Sequence, residues 1–113
     1  MEFNEYEEKA LQTAVYHLAT KDESPITGIM YTALGLNGEA GEVAELIKKM
    51  VRDGTALEDS RGKIAQELGD VLWYITNLGL EIGVSLETIA KANLHKLNKR
   101  KKAGTLTGER KDD

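Results

Sequence analysis

Hydrophobic positions recur with a helical period in four segments of the chain, and short polar breaks separate these segments. Pro25 closes the first segment because it disfavours helix at the residue before it. Gly54 and Gly83 end the next two, and Ser85 is a typical N-cap for the last. The predicted helices span residues 3–20, 27–51, 61–82 and 85–101.

Four helices with short connections in a chain of this size favour an antiparallel bundle. We therefore predict an all-α, four-helix bundle-like fold in a single domain over residues 1–113, with a loop-like tail at residues 103–113. The third helix has a second apolar face with Leu72, Trp73 and Leu80. Burial of that face against another subunit and burial within one chain are equal alternatives. We expect a dimer or a dimer of dimers, because the helices have apolar surface to spare.

Composition narrows the class of protein. The 113 residues are 41% hydrophobic, which is enough for one core, and they contain no Cys. The absence of Cys excludes disulfides, thiol catalysis and thiolate metal sites, and it agrees with the cytoplasmic location that we expect. No apolar run reaches the roughly 20 residues of a membrane span, and the first residues lack the features of a signal peptide.

Charge is unevenly distributed. The formal net charge is −4, but residues 91–102 hold six bases and no acid. This basic run lacks the interleaved aromatic residues of a nucleic-acid surface, and the net charge is unfavourable for such a partner. We therefore do not expect nucleic acid to bind.

Two pairs of acids stand on the faces that should be buried. The pairs are Glu39-x-x-Glu42 in the second helix and Glu67-x-x-Asp70 in the third. On a helical wheel, the first acid of each pair lies within about 40° of three apolar side chains, whereas the second lies at the edge of the same stripe. An ordinary amphipathic helix places its acids on the opposite face.

A carboxylate on a buried face must be paired, protonated or bound to a metal. One interpretation is an ion pair with a Lys or Arg from another helix. The other is one oxygen-rich cluster of all four acids, whose mutual repulsion calls for a divalent cation such as Mg²⁺ or Mn²⁺. Gly38, Gly41 and Gly69 stand beside these acids. We expect close helix packing to explain them, with room for metal and phosphate as the alternative.

The fourth helix carries an amide and two cations on one face. Asn93, Lys96 and Arg100 fall within about 60° of one another, a set that suits phosphate oxygens, with Arg capable of bidentate contact. The alternative is a solvated basic end that complements the helix dipole.

Together these residues resemble the MazG-type all-α nucleoside triphosphate pyrophosphohydrolases. The family pattern E-x-x-E followed by E-x-x-D is matched by the two acid pairs, which 24 residues separate, and Val71 to Ile75 resembles its apolar continuation. The segment Asn93-x-x-Lys96-Leu-x-x-Arg100 is similar to its basic motif.

The resemblance implies Mg²⁺-dependent hydrolysis of an NTP or dNTP between the α- and β-phosphates, yielding a nucleoside monophosphate and pyrophosphate, as in nucleotide house-cleaning. It implies metal ligation by the four acids Glu39, Glu42, Glu67 and Asp70, with Mn²⁺ as a possible substitute for Mg²⁺. Asn93, Lys96 and Arg100 would hold phosphate oxygens.

The general base and the residues that stack on the nucleotide base are assigned separately. Of the catalytic candidates Glu39 and Glu42, we assign the general base to Glu42, because water can reach the edge of the face. Trp73, Tyr31 and His17 are candidates for stacking on the base, and packing is the alternative for each. A metal-dependent nucleotide-binding or regulatory module without turnover is the alternative function.

Overall fold

The computed structural model describes residues 1–20 and 24–107 and consists of helices joined by short turns. The helices are α1 (Phe3–Gln12), α2 (Tyr16–Thr20), α3 (Pro25–Asp53), α4 (Leu57–Glu81) and α5 (Leu86–Ala103). Among the described residues no strand occurs. Four helices of ten or more residues, with the five-residue α2, confirm the predicted all-α fold.

Most helix ends lie where the sequence places them. Pro25 is the first residue of α3, a position where its missing N–H costs no helical hydrogen bond. Gly54 ends α3 with a φ of 66°, a left-handed conformation that favours glycine. The side chain of Ser85 accepts the N–H of Thr88 at 3.1 Å and so caps α5. α4 begins at Leu57, earlier than predicted, so the connection after α3 is only three residues long.

The prediction of one continuous helix over residues 3–20 is wrong, because the chain breaks between α1 and α2. Thr13 Oγ1 donates a hydrogen bond to the carbonyl of Ala10 at 2.9 Å. The N–H of Val15 bonds to the carbonyl of Thr13 at 3.0 Å, which is a turn rather than a helical bond. A threonine hydroxyl that bonds to a carbonyl of the preceding turn competes with the helical hydrogen bonds, and together with this turn it favours the end of α1 here.

The tail leaves the helix at Gly104, whose φ of 72° is again left-handed. Residues 104–107 are not helical, whereas Ala103, the first residue of the predicted tail, still belongs to α5. Residues 108–113 of the predicted tail lie outside the described residues.

The core forms where α3 and α4 pack along each other. Its fully buried side chains are polar, and each donates to a carbonyl of its own helix, so burial leaves these donors satisfied. These residues are Thr32, Thr76 and Asn77. The helices approach closely at Gly35, where a Cβ would overlap the ring of Tyr74.

The glycines beside the acid pairs are different. A Cβ at Gly38, Gly41 or Gly69 would meet nothing within 4 Å. The expectation that close packing explains these three glycines is therefore wrong for this chain. Open space beside the acids agrees with the alternative, room for a ligand.

The fold is extended for its length. Its radius of gyration is 17.2 Å, against about 13 Å for a compact chain of this size. Apolar side chains on the side of α3 away from Glu39 are exposed, including Met30 at 55%, Leu34 at 70% and Val51 at 75%. Within the described residues, no helix has both the length and the hydropathy of a membrane span.

Candidate active site

Three acids converge where α4 returns along α3. Glu39 lies on α3, whereas Glu67 and Asp70 lie one turn apart on α4. One carboxylate oxygen from each lies within 4.8 Å of those of the other two. The short turn at residues 54–56 makes this possible, because it brings the two helices side by side.

Burial follows the predicted wheel. Glu39 and Glu67, the first acids of their pairs, are half-buried, whereas Glu42 and Asp70 are exposed. Glu42 does not belong to the group of three whose oxygens converge. It lies near enough for its charge to act on Glu39.

The cluster is electrostatically strained. A hydrogen bond with the Glu67 side chain, partial burial and the charges of Asp70, Glu67 and Glu42 together raise the pKa of Glu39 from its ordinary 4.5 to about 7. The hydrogen bond requires one of the two carboxyl groups to keep its proton. Near neutral pH the cluster therefore shares a proton unless a cation replaces it.

The ion-pair interpretation finds no support in the described part of the chain. The ion pairs found there join other acids to Lys or Arg, and none includes a member of either acid pair. Three carboxylates without a nitrogen or sulfur ligand form a donor set for a hard cation. The residues present therefore fit Mg²⁺ or Mn²⁺.

A cavity of about 290 Å³ opens beside the acids. Its lining consists of Thr13, Glu39, Asp70, Trp73 and Tyr74. The rings of Trp73 and Tyr74 meet edge to face with centroids 4.9 Å apart. The cavity therefore joins carboxylate oxygens to an aromatic wall.

Two cavity residues were not among the predicted site residues. Tyr74 follows Asp70 by one turn, and this i, i+4 spacing was a usable signal. Thr13 lies 60 residues from Trp73, and no local pattern links them.

The predicted stacking residues fall in two places. Trp73 lines the cavity, whereas Tyr31 and His17 do not. Tyr31 stacks on Tyr16 with centroids 4.8 Å apart, and the His17 ring lies 4.3 Å from the same ring. The Tyr16 hydroxyl donates to Glu81 at 2.9 Å; burial, followed by this bond, raises its pKa.

The basic face of α5 lies apart from the acids. Asn93 and Lys96 are exposed and line a separate cavity of about 420 Å³, and Arg100 is half-buried. α5 packs on α1 and α4 but, within the described residues, does not touch α3. One chain thus brings three of the four predicted metal ligands together and keeps Asn93 and Lys96 in another cavity.

Comparison with known proteins adds two findings. The family model of the MazG nucleotide pyrophosphohydrolase domain matches residues 29–105, which include both acid pairs and the basic face of α5. The Gene 37 protein of Mycobacterium phage L5 is 41% identical over 105 residues, which cover 91% of each chain. No solved structure gives a significant match.

Proposed function

We propose that this chain, which belongs to the MazG nucleotide pyrophosphohydrolase domain family, hydrolyses nucleoside triphosphates between the α- and β-phosphates. The products are a nucleoside monophosphate and pyrophosphate, and the role is removal of unwanted NTPs or dNTPs from the nucleotide pool. The observation that carries this proposal is the convergence of Glu39, Glu67 and Asp70 beside a cavity with an aromatic wall, which Glu39 and Asp70 line.

We assign Mg²⁺ to the three converging carboxylates, with Mn²⁺ as a substitute. When bound, such an ion neutralises phosphate charge and lowers the pKa of a water molecule. The oxygen-only donor set and the raised pKa of Glu39 support this assignment. Glu42 is exposed, and we assign its carboxylate to accept the proton of the attacking water.

Substrate binding is divided between two surfaces. The base lies against Trp73 in the cavity lined by Glu39 and Asp70, which we call the acid cavity. There an apolar ring adjoins the carboxylates. The phosphates are held by Asn93, Lys96 and Arg100 of α5. Because Asn93 and Lys96 line a separate cavity of the same chain, we assign this contact to an assembly in which a second copy supplies the basic face.

We accordingly propose a homodimer or homotetramer. The extended shape and the exposed side chains of Met30, Leu34 and Val51 support one interface on the outer side of α3. The contact that brings the basic face of a second copy to the acids is a different one, on the side of α3 that carries Glu39. Light scattering of the wild type and of Leu34→Lys tests the interface on the outer side. A monomeric wild type, or an unchanged mass for a folded Leu34→Lys variant, contradicts this interface.

Pyrophosphate release tests the activity. The protein is incubated with a panel of NTPs and dNTPs with Mg²⁺ or with EDTA, and pyrophosphate and orthophosphate are measured separately. We expect pyrophosphate only with the metal, and nearly none from Glu67→Gln. Glu45→Gln is the matched control, because Glu45 pairs with Lys48 at 3.0 Å outside the cluster.

The same panel of nucleotides distinguishes the enzyme from a nucleotide-binding module without turnover. Metal-dependent nucleotide binding without pyrophosphate from any nucleotide would identify a binding module and refute the enzyme.

A further inference from the structure

We propose that Thr13 is a positioning residue that fixes the indole of Trp73 in the wall of the acid cavity and thereby sets the affinity for the nucleotide. This inference rests on the proposed function, because it concerns the same cavity. Both residues line it. Trp73 Nε1–H donates a hydrogen bond to Thr13 Oγ1 at 2.8 Å.

The Thr13 hydroxyl both donates and accepts a hydrogen bond. It donates its single proton to the carbonyl of Ala10 at 2.9 Å and accepts the indole N–H with a lone pair. Because the donor is committed, the hydroxyl is oriented as an acceptor for the indole. The group that ends α1 thus also holds the ring on α4.

Two aromatic rings also contact the indole edge to face. Tyr74 meets it at a centroid distance of 4.9 Å and Tyr16 at 6.4 Å, both with an interplanar angle of 82°. Such contacts favour a perpendicular ring but do not choose where the N–H points. The hydrogen bond to Thr13 makes that choice.

A fixed indole matters for a flat ligand. Its N–H is occupied, so the ring presents an apolar surface to the cavity. Without the hydroxyl, the indole is free to turn its N–H to water, and the ligand must reorder the ring on binding. That cost falls on binding and not on the reacting phosphate, so KM should rise while kcat is retained.

Steady-state kinetics of two Thr13 variants test the role. Thr13→Val removes the hydroxyl at nearly constant shape, whereas Thr13→Ser keeps it. For the best nucleotide of the panel with Mg²⁺, we expect Thr13→Val to raise KM about five-fold, the size of one neutral hydrogen bond, with kcat within about two-fold. Thr13→Ser should restore the wild-type KM.

Fluorescence gives a second measurement that needs no turnover. The chain has one Trp, so its emission reports on this ring alone. We expect the emission maximum of Thr13→Val to shift from that of the wild type and that of Thr13→Ser to stay. If the wild type releases no pyrophosphate, the proposed function fails. The emission spectra still test the hydrogen bond between Trp73 and Thr13.

A double-mutant cycle excludes a merely structural effect on α1. Trp73→Phe removes the indole N–H, so adding Thr13→Val to it should leave KM unchanged. An equal increase in KM in the Trp73→Phe background would overturn the proposal. In an active protein, a Thr13→Val variant with the wild-type KM would also overturn it. In an inactive protein, a Thr13→Val variant with the wild-type emission would overturn it.

Discussion

Replacing Glu39 by Gln should stabilise the metal-free protein at alkaline pH, although it removes a proposed metal ligand. Hydrogen bonding to Glu67, partial burial and neighbouring acids raise the pKa of Glu39 to about 7. Gln carries no charge and can donate to the Glu67 carboxylate as the protonated acid does. The variant therefore keeps this hydrogen bond at neutral and alkaline pH without the charge of Glu39.

The direction of the pH dependence of stability follows from proton binding. Between pH 4.5 and 7 the folded protein holds a proton that the unfolded chain has released, so the free energy of unfolding of the wild type falls as pH rises. The pKa of about 7 against the ordinary 4.5 limits this loss to about 3.4 kcal/mol. Glu39 is only half-buried, and solvent screening reduces the expected effect to about 1 kcal/mol.

Thermal unfolding in EDTA measures the effect. At pH 8 we expect Glu39→Gln to melt about 4 °C above the wild type, as about 1 kcal/mol does in a domain of this size. Near pH 4.5 the two should melt together. Titrations of groups outside the cluster cancel in this difference. Saturating Mg²⁺ should stabilise the wild type more than the variant.

Glu45→Gln is the control for loss of an acid on α3. The hydrogen bond from Lys48 lowers the pKa of Glu45, so its replacement should give no gain at pH 8. A Glu39→Gln protein that melts at or below the wild-type temperature at pH 8 in EDTA would refute the cluster electrostatics. A gain that does not depend on pH would refute the protonation argument.

Two further predictions concern the basic face and the glycines. Lys96→Ala and Arg100→Ala should each raise KM for the nucleotide about ten-fold, since charged hydrogen bonds to phosphate are lost, without weakening Mg²⁺ binding measured by calorimetry; an unchanged KM would contradict phosphate binding. Gly35→Ala should destabilise the protein by about 1–3 kcal/mol in urea, because the new Cβ overlaps the Tyr74 ring. The matched Gly38→Ala, in open space, should instead stabilise it by up to about 1 kcal/mol, and equal midpoints for the two would contradict this packing.

Helical periodicity alone determined much of the candidate site. A fixed rotation per residue decides which side chains share a face, so the sequence placed Glu39 and Glu67 inward and Glu42 and Asp70 at the edges, as found. Local chemistry likewise determined most helix ends, because Pro25, Gly54 and Ser85 act on their own backbone and on adjacent residues. The general base and the phosphate contacts remain predictions.

Long-range packing decided what the sequence left open. Two glycines of α3 have different surroundings: Gly35 leaves room for the Tyr74 ring, whereas Gly38 borders open space. Whether a glycine faces a ring or open space depends on the side chain that the neighbouring helix places opposite it. The sequence around the glycine does not specify that side chain.

The break after Thr13 was missed for a related reason. Helix propensity allowed the first helix to continue, since no Pro or Gly interrupts residues 3–20. The structure instead uses the Thr13 hydroxyl to end α1 and to bind Trp73, 60 residues away. A local pattern fixes the direction of each side chain from its own helix, but only the packed helices decide which distant group it meets.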